Sequence, residues 1–94
     1  MSEPQDAMIN LVPSHASDVI AEIIDGEVLL YHPQQTKALY LNSTGGAIWA
    51  LCDGHRPVRG IVRIVNESYP ESGAGNDVLT ALAELHRSGV LVIA

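Results

Sequence analysis

The stretch that most constrains the fold is ALYLNSTGGAIWALCDG, Ala38 to Gly54, because it joins a strand to a helix without a long loop. Lys37 to Leu41 alternates well enough to predict a β-strand. Asn42 or Ser43 then offers a side-chain oxygen to the free N–H groups of a starting helix, whose apolar residues repeat at helical spacing until Gly54. Two glycines in the first turns of this helix predict close backbone packing.

The residues before this stretch predict two more strands. Val19 to Ile24 is rich in β-branched residues, Asp25-Gly26 is a strong signal for a two-residue hairpin turn, and EVLLYH pairs back. With Lys37 to Leu41 these strands form a three-stranded antiparallel sheet. The segment 1–17 lacks a sustained period and predicts a flexible N-terminal arm that docks in part, which leaves residues 18–94 as the folded domain.

Two further helices are predicted after the first. Pro57 suits the first turn of the second helix, PVRGIVRIVNES, and Asn76 is expected to cap the third, DVLTALAELHRS. VLVIA closes the chain as an extended tail. Three strands followed by three helices predict an α+β fold, with the helices on one face of a small antiparallel sheet.

The charge balance and the cysteine count exclude several classes of protein. A net charge of −6 over 94 residues opposes general attraction to nucleic-acid phosphates or anionic lipid. Cys52 is the only cysteine, so an internal disulfide is excluded. The chain shows no signal-peptide pattern and no apolar run of membrane-spanning length. We therefore expect a cytoplasmic protein that binds neither nucleic acid nor membrane.

The residues that carry chemistry do not form a reactive pattern. Cys52 and His55 are separated by the helix break at Asp53-Gly54, and Cys52 falls on the apolar side of its helix, as a buried structural thiol does. The four histidines lie on four different elements, and the Gly-rich pieces lack the Lys-Ser/Thr of a phosphate-binding loop. The sequence therefore predicts a protein that is not an enzyme and holds no metal or cofactor.

The strand Lys37 to Leu41 carries one charge and no proline, although edge strands are normally blunted by such residues. Something is expected to cover this edge. The sequence leaves four candidates open: the N-terminal arm, the VLVIA tail, a second copy of the chain, or an extended peptide from a partner.

The sequence resembles a known family in EVLLYHPQQTKALYLNSTGGAIWALCDGHRPVRGIV followed by DVLTALAELHRSGVL, over roughly Val19 to Ile93. The order of these elements is similar to that of the PqqD-like proteins, the recognition elements of ribosomally made, post-translationally modified peptides. The chain departs from many relatives at Pro57, where Ser or Thr is common, and at Gly60, where a helix former is common.

The resemblance implies a winged helix-turn-helix-like fold that binds the leader segment of a precursor peptide, as a strand added to the third strand beside the third helix, and presents it to a modifying enzyme. Because no enzyme domain is fused to it, we expect a free-standing protein that finds this enzyme in trans. A radical-SAM maturase, as in pyrroloquinoline quinone assembly, and a leader peptidase and cyclase, as in lasso peptide assembly, both fit. A homodimeric adaptor that uses the same edge strand and a DNA-binding winged helix are the alternatives. The peptide-binding residues carried over by position are Lys37, Ala38, Leu39, Tyr40, Leu41, Asp77, Val78, Ala81, Leu82, Leu85 and His86.

Overall fold

The computed structural model describes residues 9–33, 38–69 and 74–94, with side chains from residue 78 onward in the last range. The described elements are, in chain order, β1 (Pro13–His15), β2 (Ile20–Ile24), β3 (Glu27–Tyr31), β4 (Ala38–Leu41), α1 (Ser43–Leu51), α2 (Val58–Ser68), α3 (Ala74–Arg87) and β5 (Leu91–Ile93). The predicted α+β fold, with a three-stranded sheet followed by three helices, is confirmed. No helix in the described part is long and apolar enough to span a bilayer.

The three-stranded sheet has the order β2-β3-β4 and is antiparallel throughout. Its hairpin turns at Asp25 and Gly26, whose φ angles of 52° and 81° are those of a tight two-residue turn. Ile24 then lies opposite Glu27, so the register of the first pair follows directly from the turn. β3 is the central strand, and both β2 and β4 are edges within the described residues.

Helix α1 begins where the sequence predicts. The Asn42 side chain accepts a hydrogen bond from the Gly45 N–H at 2.8 Å, which satisfies one of the free donors of the first turn. The predicted close packing is present at Gly46, where an added Cβ would lie 2.7 Å from Cγ2 of Val28. Only glycine therefore lets α1 lie this close to the central strand.

Helix α2 begins without a side-chain cap, because its N-cap residue is Pro57. The N–H groups of Val58 and Arg59 instead donate to the backbone oxygens of Leu11 and Ile9, at 2.9 and 3.0 Å. Backbone carbonyls of the N-terminal segment thus take the place of a side-chain cap.

The described residues of the N-terminal segment are docked on the rest of the domain. β1 pairs antiparallel with β5, with Pro13 opposite Ile93 and His15 opposite Leu91. The His15 ring also stacks on Trp49 with ring centroids 3.6 Å apart. The arm and the tail therefore form a second, two-stranded sheet with each other. Residues 1–8 lie outside the described part, and a domain boundary at residue 17 stays a prediction.

Helix α3 begins at Ala74, so the expected cap at Asn76 is wrong. Asn76 lies in the first turn, where backbone N–H groups have no intrahelical acceptor and where a residue with low helix propensity is tolerated.

The core lies between the inner face of the three-stranded sheet, the three helices and the start of β5. Its buried apolar residues are Val28, Leu30, Ile48, Cys52, Val58, Ile61, Val65, Val78, Leu82, Leu85, Val90 and Leu91.

Candidate functional site

β4 is the edge strand that the sequence analysis expected to be covered. In the described part of the chain β4 pairs with β3 alone, so the N–H and C=O groups on its other side have no strand partner. The arm and the tail, which the sequence offered as covers, pair with each other instead. Ala38 and Tyr40 are exposed, whereas Leu39 and Leu41 are half-buried on the helix side, as the alternation predicted.

A cleft of about 430 Å³ lies beside this edge, between β4, the start of α1 and α3. We call it the large cleft. It lies within the range of about 300–1,000 Å³ that is typical of ligand pockets. Its lining residues are Leu39, Tyr40, Leu41, Asn42, Thr44, Gly45, Ile48, Ala81, Glu84 and Leu85.

A second cleft, of about 220 Å³, lies on the other side of Leu39. We call it the small cleft. Its lining residues are Leu30, Tyr31, His32, Ala38, Leu39, Ser88 and Val90. Because Leu39 borders both clefts, the two follow one another along β4. The last turns of α3 line the large cleft, and Ser88 and Val90, just after this helix, line the small cleft. Together they form one groove, the β4–α3 groove.

Most of the predicted strand residues and two of the predicted helix residues border this groove. Ala81 and Leu85 join the described strand positions in lining it. Val78 and Leu82 do not, because both side chains are fully buried in the core and support the groove only from behind. His86 is exposed and lines neither cleft. Lys37 and the side chain of Asp77 lie outside the described residues.

The different positions of the predicted helix residues have a simple geometric origin. The resemblance carried over Val78 and Leu82 together with Ala81, whereas the core face of α3 is rotated away from its groove face. Ala81, Glu84 and Ser88 recur at helical spacing and mark it. Asn42, Thr44 and Gly45 also line the large cleft and were not among the predicted site residues, because Asn42 was interpreted as a cap and Gly45 as a site of close packing.

The large cleft is apolar with an acidic border. Glu84 is the one charged residue among those that line it. Beside the groove, the Tyr40 hydroxyl donates to the Glu27 carboxylate, and the Tyr31 hydroxyl donates to Glu22 at 3.2 Å. This bond and the charge of Glu22 raise the pKa of Tyr31. The Tyr31 hydroxyl therefore stays protonated and remains a hydrogen-bond donor at neutral pH.

Cys52, the single cysteine of the chain, does not line either cleft. Cys52 is fully buried, its thiol donates to the Ile48 carbonyl at 3.2 Å, and burial raises its pKa to about 12. A thiol in this state is a poor nucleophile. Among the described residues, no group of three or more His, Cys, Asp or Glu side chains is placed to hold a metal ion. The arrangement suits binding of an extended apolar segment.

The sequence profile of one protein family, described as Coenzyme PQQ synthesis protein D (PqqD), matches residues 27–91, which is more than half of the chain. The chain belongs to the PqqD family. The resemblance predicted from the sequence is thus confirmed, and the matched range contains β3, β4, the three helices and the start of β5.

Curated relatives with similar sequences are PqqA binding proteins. That of Klebsiella pneumoniae (strain 342) is 40% identical over 53 residues, which are 56% of this chain and 54% of the relative. That of Pseudomonas paraeruginosa (strain DSM 24068 / PA7) is 41% identical over 63 residues, 66% of this chain and 65% of the relative. The match thus spans little more than half of the first relative's length and just under two thirds of the second's.

Two solved structures share the fold. TbiB1, solved in complex with the TbiA(beta) leader peptide, superposes with a TM-score of 0.72 at 25% identity, over 83% of this chain and 93% of TbiB1. The heterocyclase TruD superposes with a TM-score of 0.60 at 18% identity, over 89% of this chain and 12% of TruD. The second likeness shows the fold alone. The predicted winged-helix-like fold is confirmed by the first.

Proposed function

We propose that this chain binds the leader segment of a ribosomally made precursor peptide as an extra strand on β4, catalyses no reaction on it, and delivers it to a peptide-modifying enzyme. The observation that carries this proposal is the free β4 edge with a cleft on each side of Leu39. Membership of the PqqD family supports it, as do the names of the PqqA binding proteins and the leader peptide bound in the TbiB1 structure.

The β4 backbone supplies the first part of the binding energy. Of its four residues, two direct N–H and C=O towards β3 and two direct them outward, because these groups alternate along an antiparallel ladder. An added strand can thus make about four hydrogen bonds, each worth about 1 kcal/mol net. This contribution depends little on the leader's side chains, so it gives affinity without much sequence choice.

The two clefts supply the sequence choice. Alternate side chains of an added strand point to the same face and are about 6.8 Å apart, so two of them can enter the groove, one on each side of Leu39. Burying two apolar side chains adds about 2 kcal/mol each. With the strand bonds the gross gain is about 8 kcal/mol, and ordering the leader costs about 2–5 kcal/mol of it. The remaining gain of about 3–6 kcal/mol is below the roughly 8 kcal/mol of micromolar binding, so micromolar affinity needs both contributions and a preorganised groove.

The enzyme that receives the leader is not determined by the groove. A radical-SAM maturase, as in pyrroloquinoline quinone assembly, or a leader peptidase and cyclase, as in lasso peptide assembly, is compatible with a non-catalytic binding chain. The relatives named after PqqA favour the first class.

The strand-addition step is tested on the leader, which leaves the protein unchanged. Calorimetry would measure binding of the precursor leader encoded beside the chain's gene, and of a series in which single backbone nitrogens are N-methylated. An added strand predicts losses at every second residue over about four residues, because only alternate N–H groups face β4. Losses at consecutive residues, or none, would contradict strand addition.

The groove is tested by filling it. Ala81→Phe places a ring in the large cleft and is expected to weaken leader binding at least about tenfold, since one apolar side chain of the leader loses its site. Ala50→Phe, on the exposed side of α1, is the matched control and should bind as the wild type does. Equal affinities for all three proteins would place the site elsewhere. If the chain forms a dimer and the leader binds only the monomer, then the leader and a second copy of the chain compete for the β4 edge.

A further inference from the structure

The outer face of the three-stranded sheet, turned away from the helices, is unusually apolar. Residues that lie opposite one another in the register share a face, so Ile20, Ile24, Leu29, Tyr31 and Tyr40 all point outward. We call these five side chains, with the two glutamates between them, the outer sheet face. Antiparallel sheets with one solvated face normally carry polar residues there.

The exposure of these side chains is large. Tyr40, Ile24 and Ile20 are 59%, 58% and 42% exposed, and Leu29 lies half-buried between them. They lie on three adjacent strands and make one contiguous patch rather than scattered apolar residues. Contiguous apolar patches on a small domain mark an interaction surface.

The charges around the patch identify the kind of occupant. Glu22 and Glu27 lie within it, each accepting a hydrogen bond from a tyrosine, and Asp25 lies at the adjoining turn. Among the described residues of β2, β3 and β4 there is no Lys or Arg. A second copy of this face would bring glutamates against glutamates, and nucleic acid or anionic lipid would be repelled. A protein surface that is apolar at its centre and basic at its rim is complementary.

We infer that the outer sheet face is a second docking surface, which holds the peptide-modifying enzyme through an apolar patch rimmed by Lys and Arg. This inference rests on the proposed function for the identity of the partner. A leader strand added to β4 extends the same sheet, so its outward side chains continue this face next to Tyr40. An enzyme docked there contacts the chain and the leader together, and each is expected to strengthen binding of the other.

The test uses the full chain, the precursor leader and the peptide-modifying enzyme encoded beside the chain's gene. Ile20→Lys and Ile24→Lys place cations against a basic rim, and the double variant is expected to lower affinity for the enzyme about tenfold or more. Leader affinity should not change, because both positions lie on β2, away from the β4 edge. Since both side chains are exposed, the variants should fold, which the melting temperature checks.

Two controls separate this face from general effects of an added charge. Ile23→Lys changes a side chain on the same strand that is 76% exposed but points to the other face, and Val92→Lys changes one that is 50% exposed on β5. Both should bind the enzyme as the wild type does. Glu22→Lys is expected to weaken the enzyme complex, with a loss that shrinks as salt is raised.

The inference is overturned by an enzyme that does not bind the wild type, by wild-type affinity in the double variant, or by an equal loss in Ile23→Lys. It is also overturned by a dimer in solution that Ile24→Lys dissociates, since the face would then belong to a second copy. A leader that fails to bind the wild type counts against the proposed function alone, because enzyme binding is measured separately.

Discussion

The molecule contains two short sheets that end differently. In the two-stranded sheet, β1 and β5 pair over three residues, and the backbone of Val12 is hydrogen-bonded to that of Ala94 at 2.7 and 3.3 Å. In the three-stranded sheet, β4 is four residues long and carries no charge, yet its outer edge is unpaired in the described part. Both terminal segments were candidates to cover β4, and each is instead occupied by the other.

The difference shows that a strand edge can stay exposed when the segments that could pair with it are paired with each other. β5 is held against β1 in a separate sheet, so the tail does not lie along β4. The two-stranded sheet of β1 and β5, which we call the closed sheet, therefore contributes to stability. The three-stranded sheet, which we call the open sheet, keeps its β4 edge available for binding. The following variants test this division, beginning with the largest effect.

The closed and open sheets should respond in opposite ways to truncation of a leucine. Leu91, at the start of β5, is 3% exposed, and Leu91→Ala is expected to cost about 2–5 kcal/mol of unfolding free energy with little change in leader affinity. Leu39→Ala, on half-buried β4, should cost only about 1 kcal/mol of stability but reduce leader affinity about tenfold. Denaturant unfolding and calorimetry measure the two quantities. If each variant lost stability and leader affinity to the same extent as the other, the distinction between the two sheets would be wrong.

The open edge depends on the packing behind it at Gly46. Gly46→Ala forces a Cβ to within 2.7 Å of Val28, which lies opposite Leu41 of β4, and is expected to cost about 1–3 kcal/mol. Gly60→Ala is the control: the nearest atoms to its new Cβ are 3.9 Å away, so better helix propensity should stabilise the protein by up to about 1 kcal/mol. Thermal or denaturant unfolding compares them. Stabilisation by both alanines would mean that α1 is not tightly packed on β3.

The smallest effect is expected at the border of the closed sheet, where the backbone of Asp53 forms an isolated β-bridge with that of Ser14. The His55 N–H, at 2.9 Å, and then the Arg56 guanidinium, at 3.1 Å, lower the pKa of Asp53. Since this pKa lies below the unfolded value of about 3.9, the carboxylate's contribution is present above that pH and is lost as the pH falls through the folded pKa. Asp53→Asn should therefore flatten the loss of stability below about pH 4. The measurement is the unfolding free energy of both proteins as a function of pH. If it falls equally steeply below about pH 4 in Asp53→Asn and in the wild type, this role is contradicted.

Local signals in the sequence were sufficient for most of the fold. The Asp25-Gly26 turn, the Asn42 cap and the alternation of β4 each depend on neighbouring residues, and each was predicted correctly. The pairing of β1 with β5 was missed, because three-residue strands show no measurable period and their partners are far apart along the chain.

The site was predicted less completely than the fold. The strand side of the groove follows from an alternating pattern, which has only two faces. A helix offers a continuous range of directions, and α3 divides its surface between core and groove. Which apolar residues go to which side, Leu82 to the core and Ala81 to the groove, depends on how α3 lies against β4.

The hydrogen bonds between Val12 and Ala94 bring the entry and the exit of the described domain to one place. A domain with adjacent ends can be inserted into a longer polypeptide, or permuted by joining those ends, without stretching its fold. Because these ends meet at the β1–β5 sheet and not at β4, a fusion through them would leave the β4 edge accessible. The same pairing that stabilises the domain thereby makes it transferable between protein architectures.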